Sequence, residues 1–167
     1  MHPDTASPPA PHTDSAGVTF PPPALYFWTM VISGAISAIY PLPLPLPGIK
    51  PIMTMHLGVV LMLVAVVLFS SAVGTFKRHD TPLPPWTTTR TLVQSGPYRF
   101  SRNPIYLAFT LFLLGFAGLI DSLWVATAVL PVVWIMSTQV IAKEERYLAQ
   151  KFGPSYTAYT QRVRRWL

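Results

Sequence analysis

The chain has 167 residues, of which 51% are hydrophobic and only 11% are charged, and it contains no cysteine. This balance is too apolar for an ordinary soluble domain of this length and predicts a small integral membrane protein. The lack of cysteine excludes disulfides, thiolate metal ligands and a cysteine nucleophile, and we expect no metal site. Basic flanks on membrane spans explain the formal charge of +6, so we expect no nucleic-acid partner.

The first 23 residues differ in composition from the rest of the chain. Residues 1–23 hold seven prolines and no Lys or Arg, which predicts a disordered tail. The missing basic region argues against a cleavable signal peptide. We expect a single membrane domain over residues 24–167.

Four apolar stretches predict an all-α fold with about four transmembrane helices. They cover residues 24–40, 52–76, 104–120 and 122–142, and each is near the roughly 20 residues that cross the hydrocarbon core. Pro131 inside the fourth stretch predicts a kink. The third and fourth stretches are separated only by the residues around Asp121, which predicts a tight antiparallel hairpin. Alternating Pro and Leu over residues 41–48 predict an extended, polyproline-like connector.

The Lys and Arg residues predict the orientation. Five of the twelve lie in the loop 77–103, six lie in the tail 143–167, and Lys50 lies elsewhere. The positive-inside rule places this loop and this tail in the cytoplasm. Four spans then put both termini on the cytoplasmic side.

A polar segment precedes the third span. Ser95-Gly96-Pro97-Tyr98 predicts a turn, and Asn103 and Pro104 predict an N-cap followed by the first helical position. Such a helix start offers N–H groups and a positive dipole end at the membrane boundary. Taken alone, the arginines of the segment are typical positive-inside anchors and its tyrosines typical interfacial aromatics.

Two adjacent acids, Glu144 and Glu145, follow the fourth span. On a helix that continues this span, Ile141, Leu148 and Phe152 mark an apolar stripe, and the acids lie beside it. No cation stands three or four residues further on to pair with them. Acids at this depth without local partners are candidate site residues. The alternative is a solvated helix face just past the bilayer.

Gly153-Pro154 predicts the end of that helix. A second short helix then has Tyr156, Tyr159 and Val163 on one face. This helix either packs against the core, lies on an anionic membrane surface or covers a cytoplasmic pocket.

The order of these motifs resembles the family of isoprenylcysteine carboxyl methyltransferases and phospholipid methyltransferases, which are integral membrane enzymes that use S-adenosylmethionine. The resemblance covers about residues 75–165. It rests on Leu-Val-x-Ser-Gly-Pro-Tyr-x-x-x-Arg-Asn-Pro-x-Tyr, a hydrophobic hairpin, Glu-Glu, and Phe-Gly-x-x-Tyr-x-x-Tyr-x-x-x-Val. The resemblance implies cofactor contacts at Arg90, Thr91, Leu92, Val93, Tyr98, Asn103, Pro104, Ile105, Tyr106 and Glu144.

The chain departs from the family pattern in two places. The usual motif has His where this chain has Asn103, which keeps a polar, hydrogen-bonding side chain. In the eukaryotic prenylcysteine enzymes an arginine stands about one turn before the paired glutamates, where this chain has Gln139 and Val140. The resemblance therefore does not select a carboxylate acceptor.

The charges of S-adenosylmethionine match the residues. The cofactor carries a sulfonium, an ammonium and a carboxylate, so its site needs both acids and donors. We expect Glu144 to contact the positive part, and Arg102 and the helix start at Pro104 to lie near the carboxylate. We name Glu145 and Arg102 as catalytic candidates, and Glu145 or His79 as the base for an acceptor that must lose a proton.

The expected methyl acceptor is lipidic or small and apolar, and reaches the site from the bilayer between helices. A prenylcysteine-type carboxylate, a phospholipid amine and a thiol all remain open. Two other classes also remain. An NADPH-dependent, sterol-reductase-like membrane enzyme would bind its nucleotide through the tail arginines, and a non-enzymatic accessory membrane subunit would bind no cofactor.

Overall fold

The computed structural model describes residues 17, 18, 20–78 and 91–167. Within these ranges the secondary structure is entirely helical, which confirms the predicted fold class. The helices are α1 (Pro22–Ile39), α2 (Pro51–Arg78), α3 (Pro104–Leu119), α4 (Leu123–Ile135), α5 (Ala142–Phe152) and α6 (Pro154–Arg162). A 3-10 turn at Gly96–Arg99 precedes α3, and a π-helical segment at Met136–Ile141 joins α4 to α5.

Three of these helical stretches are long and apolar enough to cross a membrane: α1, α2 and the continuous stretch Leu123–Phe152. α3 is apolar but has only 16 residues, fewer than the roughly 20 that a full crossing needs. The chain is a multi-pass membrane protein, as predicted. The cytoplasmic placement of its termini stays a prediction.

The beginning of the described chain is tied to the bundle. α1 starts at Pro22, and Val18 and Phe20 pack against the main buried cluster. Residues 1–16 and 19 of the predicted tail lie outside the described residues. The domain boundary predicted at residue 24 stays a prediction.

α2 and α3 pack closely because glycines face each other between them. A Cβ atom on Gly58 would lie 2.5 Å from the carbonyl oxygen of Gly115, and one on Gly118 would lie 2.9 Å from the carbonyl oxygen of Thr54. Small residues allow membrane helices to bring their backbones together. This contact fixes α3, which carries several of the predicted site residues at its other end.

The turn between α3 and α4 is tight, as predicted. Asp121 has a positive φ of 48°, and the side chain of Ser122 accepts a hydrogen bond from the Val125 N–H at 3.4 Å. The extended 41–46 connector is bound to this turn, because the Leu44 N–H donates to Asp121 Oδ1 at 3.3 Å and the Leu123 N–H donates to the Leu42 carbonyl at 2.9 Å.

The fourth span continues past the predicted end at residue 142 as one helical stretch to Phe152. A π-helical segment begins five residues after Pro131, and the kink predicted from that proline stays a prediction. Val140 and Ile141, which are neighbours in that segment, are both fully buried. A π turn is wider than an α turn, and here two consecutive residues face the interior. The two acids that follow in α5 are also both partly buried.

Candidate active site

A cluster of charged and hydroxyl groups lies where the start of α3 meets α5. It comprises Arg102, Tyr106, Glu144, Glu145 and Arg165, and we call it the polar cluster. Glu144 contacts Tyr106 of α3, and Glu145 contacts Arg102 in the loop before α3. Arg165 comes from the segment after α6.

Glu145 binds two guanidinium groups. Arg102 Nη1 lies 3.0 Å from Glu145 Oε1, and Arg165 Nε donates to the same oxygen at 3.1 Å, while Arg165 Nη2 contacts Oε2. The hydrogen bond with Glu145 raises the pKa of Arg165, so its guanidinium stays charged. The trio has one negative and two positive charges and therefore keeps a net positive charge.

Glu144 has a different environment from its neighbour. Its Oε1 accepts a hydrogen bond from the Tyr106 hydroxyl at 2.6 Å, between residues 38 positions apart. No cation pairs with it in the described part of the chain. The two adjacent acids are thus electrostatically distinct, one neutralised by arginines and one held by a neutral hydroxyl.

Residues 164–166 connect the loop before α3 with the π-helical segment, through two backbone carbonyls and one side chain. The Arg164 carbonyl accepts from the Arg102 N–H at 3.0 Å. The Arg165 carbonyl accepts from Asn103 Nδ2 at 2.9 Å and from Ser101 Oγ at 3.4 Å. Trp166 Nε1 donates to Ser137 Oγ at 3.3 Å, which links this segment to the π-helical segment.

Asn103 occupies the predicted N-cap position of α3, with Pro104 directly after it. The expected capping hydrogen bond from its side chain is absent, and on that point the prediction was wrong. The physical reason is that the side-chain amide donates to the Arg165 carbonyl instead. Asn103 thus joins two segments of the candidate site that are far apart in sequence.

Several predicted cofactor contacts have side chains that pack against other residues. Val93 and Tyr98 are buried together with Ala72 of α2, and Ile105 packs against them. The Tyr159 hydroxyl donates to the Tyr98 carbonyl at 2.8 Å. Burial raises the pKa of both tyrosines above the ordinary value, so both hydroxyls stay protonated and Tyr159 remains a donor.

The remaining predicted residues differ in their burial and surroundings. Leu92 packs against Tyr156 and Tyr159 of α6 and Val163 directly after it, so this helix packs against the protein, as one of the predictions stated. Pro104 is fully buried, whereas Thr91 is exposed. Arg90 and His79 lie outside the described residues.

Sequence reasoning missed Arg165 as a partner of Glu145. It also missed Tyr26 and Thr110, whose hydroxyls lie 2.9 Å apart between α1 and α3. Arg164 and Arg165 are an adjacent pair of cations, as Glu144 and Glu145 are an adjacent pair of acids. That complementarity was a usable signal, although the positive-inside rule explained the arginines equally well.

The sequence profile of phospholipid methyltransferases matches residues 53–155 of this chain. This is more than half of the chain, and it runs from the first turn of α2 past the end of α5, with Arg102, Tyr106 and both acids. The chain belongs to the phospholipid methyltransferase family. The resemblance drawn from the motifs alone is thereby confirmed.

Individual relatives agree with the family. The chain is 42% identical over 74 residues to the cobalt-zinc-cadmium resistance protein CzcN of Cupriavidus metallidurans, across 44% of this chain and 33% of that protein. It is 38% identical over 72 residues to protein-S-isoprenylcysteine O-methyltransferase B of Arabidopsis thaliana, across 43% of this chain and 36% of that protein.

A longer match, 30% identical over 110 residues, is to protein-S-isoprenylcysteine O-methyltransferase A of Arabidopsis thaliana, across 65% of this chain and 56% of that protein. The first of these matches span about a third of the relatives' length. No solved structure matches the chain significantly. No match favours a reductase or an accessory subunit.

Proposed function

We propose that this protein is an S-adenosylmethionine-dependent methyltransferase that acts on a lipidic or small apolar acceptor at the membrane. The observation that carries the proposal is that the two adjacent acids have different partners. Glu145 is paired with two arginines, whereas Glu144 is held by the neutral Tyr106 hydroxyl, so a cationic ligand would supply the positive charge that this acid lacks among the described residues. Membership of a methyltransferase family supports a methyl donor as that ligand.

The residues of the polar cluster fit the charges of S-adenosylmethionine. Glu144 would hold the positive part of the cofactor. Arg102 Nε is buried and has no hydrogen-bond partner among the described residues, and a buried donor without a partner is costly in a protein interior. The cofactor's carboxylate would supply the missing acceptor in a charge-assisted hydrogen bond.

The other predicted contacts complete the proposed site. Thr91, Leu92, Val93 and Tyr98 would line it from the loop before α3, and Asn103, Pro104, Ile105 and Tyr106 from the start of that helix. Arg90 lies outside the described residues and stays a predicted contact. Since the side chains of Val93, Tyr98 and Asn103 already pack or bond elsewhere, we assign these three residues a positioning role.

Arg102 and Glu145 act as a unit in this proposal. Both oxygens of Glu145 contact guanidinium groups, so a proton taken up there would displace a charge-assisted hydrogen bond. We therefore favour Glu145 as a positioning residue for Arg102 over Glu145 as a base. The cofactor supplies an electrophilic methyl group, and the protein contributes orientation and exclusion of water.

The test is calorimetric titration of the detergent-purified protein with S-adenosylmethionine, with its demethylated product and with NADPH, repeated on Glu144→Gln. Loss of one charged hydrogen bond is worth about 1.5–3 kcal/mol, so we expect affinity for S-adenosylmethionine to fall by at least tenfold. Arg146→Gln is the matched control, because Arg146 is the exposed neighbour on the same helix.

The two sulfur compounds sharpen the assignment, because the demethylated product has lost the sulfonium charge and kept the ammonium. If Glu144 faces the sulfonium, the mutation weakens binding of the methyl donor more than binding of the product. If Glu144 faces the ammonium, the mutation weakens binding of both compounds equally. An unchanged affinity in Glu144→Gln refutes the role of this acid, NADPH binding alone favours a reductase, and no binding at all favours an accessory subunit.

A further inference from the structure

α2 extends past α3 at the end of the bundle that carries the polar cluster, which we call the polar end. At the opposite end the two helices are nearly level, since Gly118 near the end of α3 meets Thr54 in the first turn of α2. At the polar end, Ile105 packs against the buried cluster that contains Ala72, and α2 then continues to Arg78. The loop before α3 therefore runs alongside the last turns of α2.

The length of α2 places this loop at the level of the lipid headgroups. A bilayer has about 30 Å of hydrocarbon, and about 40–45 Å once the headgroup layers are included. α2 has 28 residues, which is about 42 Å at 1.5 Å per residue, so its last turns lie in a headgroup layer. The loop beside them meets the same environment.

Two exposed residues project from this loop between two buried ones. Tyr98 and Ser101 are buried, whereas Arg99 and Phe100 are exposed. Phe100 is 74% exposed, the largest fraction among the large apolar side chains of the described residues. The Pro97 carbonyl accepts hydrogen bonds from the N–H groups of Phe100 and Ser101 at 3.1 and 3.2 Å. Arg99 and Phe100, which we call the loop tip, therefore stand on a fixed base.

The loop tip is next to two further cations. The ring centroids of Phe76 and Tyr98 lie 5.1 Å apart, and Lys77 and Arg99 directly follow these two residues in the chain. Lys77, Arg78 and Arg99 are all exposed. None of the three forms an ion pair with a described residue.

The acids at the polar end do not compensate these cations. Among the described residues, those acids are Glu144 and Glu145, and both have partners inside the polar cluster. Unpaired cations beside an exposed aromatic ring match an anionic phospholipid, which carries its phosphate in the headgroup layer and its acyl chains directly below.

We propose that the loop tip, together with Lys77 and Arg78, binds the headgroup of an anionic phospholipid. The Arg99 guanidinium contacts the lipid phosphate, the other two cations add positive charge, and the Phe100 ring lies at the boundary between headgroups and acyl chains. This lipid is distinct from the methyl acceptor, because its site is formed by residues outside the polar cluster. The inference stands independently of the proposed function.

The first test measures which lipid the protein retains. The full chain is reconstituted in nanodiscs of mixed phosphatidylglycerol and phosphatidylcholine and transferred to detergent, and the retained lipids are quantified by mass spectrometry. We expect enrichment of phosphatidylglycerol that falls by about fivefold in Arg99→Gln, the factor that one cation contributes at an anionic surface. Arg99→Lys keeps the enrichment. Lys50→Gln is the matched control, because it removes the same charge from an exposed residue beyond the opposite end of α2.

The second test measures the depth of Phe100 in the same nanodiscs. The chain contains no cysteine, so Phe100→Cys and Gln150→Cys each carry a single nitroxide label. Gln150 is the comparison site, because it is exposed and lies near the far end of the stretch Leu123–Phe152. We expect oxygen, which concentrates in the bilayer, to reach the label at position 100 more readily, and a water-soluble nickel chelate to reach the label at position 150 more readily.

Three results overturn the proposal: no enrichment of phosphatidylglycerol by the wild-type protein, an enrichment that Arg99→Gln leaves unchanged or Lys50→Gln lowers equally, and equal access of the nickel chelate to both labels. Inorganic phosphate, added during the detergent step at matched ionic strength, separates a lipid site from a site for a soluble anion. Retention of phosphatidylglycerol supports the lipid, whereas its release by phosphate overturns the lipid assignment.

Discussion

The two ends of α3 are held by opposite means, one against α2 and the other against α5. At the end near the α3–α4 turn, the backbones touch because Gly58, Gly115 and Gly118 carry no side chains. At the polar end, Arg102 and Tyr106 bind the two acids of α5 through long side chains. Close backbone contact leaves no room for a ligand, whereas long paired side chains leave space between helices. The proposed site is therefore at the polar end.

The glycine end should be the more sensitive to an added methyl group. Gly58→Ala forces backbone atoms of α3 to move, and overpacking of this kind costs about 1–3 kcal/mol. Gly74→Ala on the same helix is the control, because a Cβ there has nothing within 4 Å. Unfolding of both variants in mixed detergent, followed by circular dichroism, measures the difference. Equal stabilities would mean that the glycine contact does not hold the pair.

At the polar end, we expect substitution of Arg165, the second arginine of the trio, to have an intermediate effect on cofactor affinity. Arg165→Ala leaves the Arg102–Glu145 pair but removes one cation. Because Arg165 is 40% exposed, we expect the affinity for S-adenosylmethionine to change by only about 1 kcal/mol, close to fivefold. Arg164→Ala is the matched control, because Arg164 contacts Arg102 through its backbone carbonyl, which the substitution keeps.

Salt provides an independent check on the same trio, because mobile ions screen partly exposed charges. The difference between Arg165→Ala and Arg164→Ala should therefore shrink as the ionic strength rises. A difference that persists at high salt would point to lost packing of the arginine side chain and not to lost charge.

The smallest effect concerns Asn103. Asn103→His restores the usual family residue, and an imidazole N–H replaces the amide as donor to the Arg165 carbonyl, so we expect cofactor affinity to stay within a factor of two. Asn103→Ala leaves that carbonyl with the longer contact from Ser101 and costs at most about 1 kcal/mol of stability. A large loss in Asn103→His would mean that the amide contacts the cofactor itself.

The sequence by itself determined the local elements. The lengths of the apolar stretches determined the membrane helices, because crossing the bilayer requires about 20 apolar residues. Gly153 and Pro154 determined the break between α5 and α6, where Gly153 has a φ of +50° that other residues adopt reluctantly. Hydrophobic periodicity placed both acids beside the apolar stripe of α5. Each of these inferences depends on neighbours within a turn or two.

Only the tertiary structure decided which groups meet. Glu145 pairs with Arg102 and Arg165, Asn103 binds the Arg165 carbonyl in place of its own helix, and Tyr26 of α1 reaches Thr110 of α3. Several arginines and tyrosines were chemically equivalent candidates for these contacts. The choice among them depends on where the close glycine packing of α2 against α3 and the wider π turn before α5 bring the helix ends together, and a linear pattern does not contain those distances.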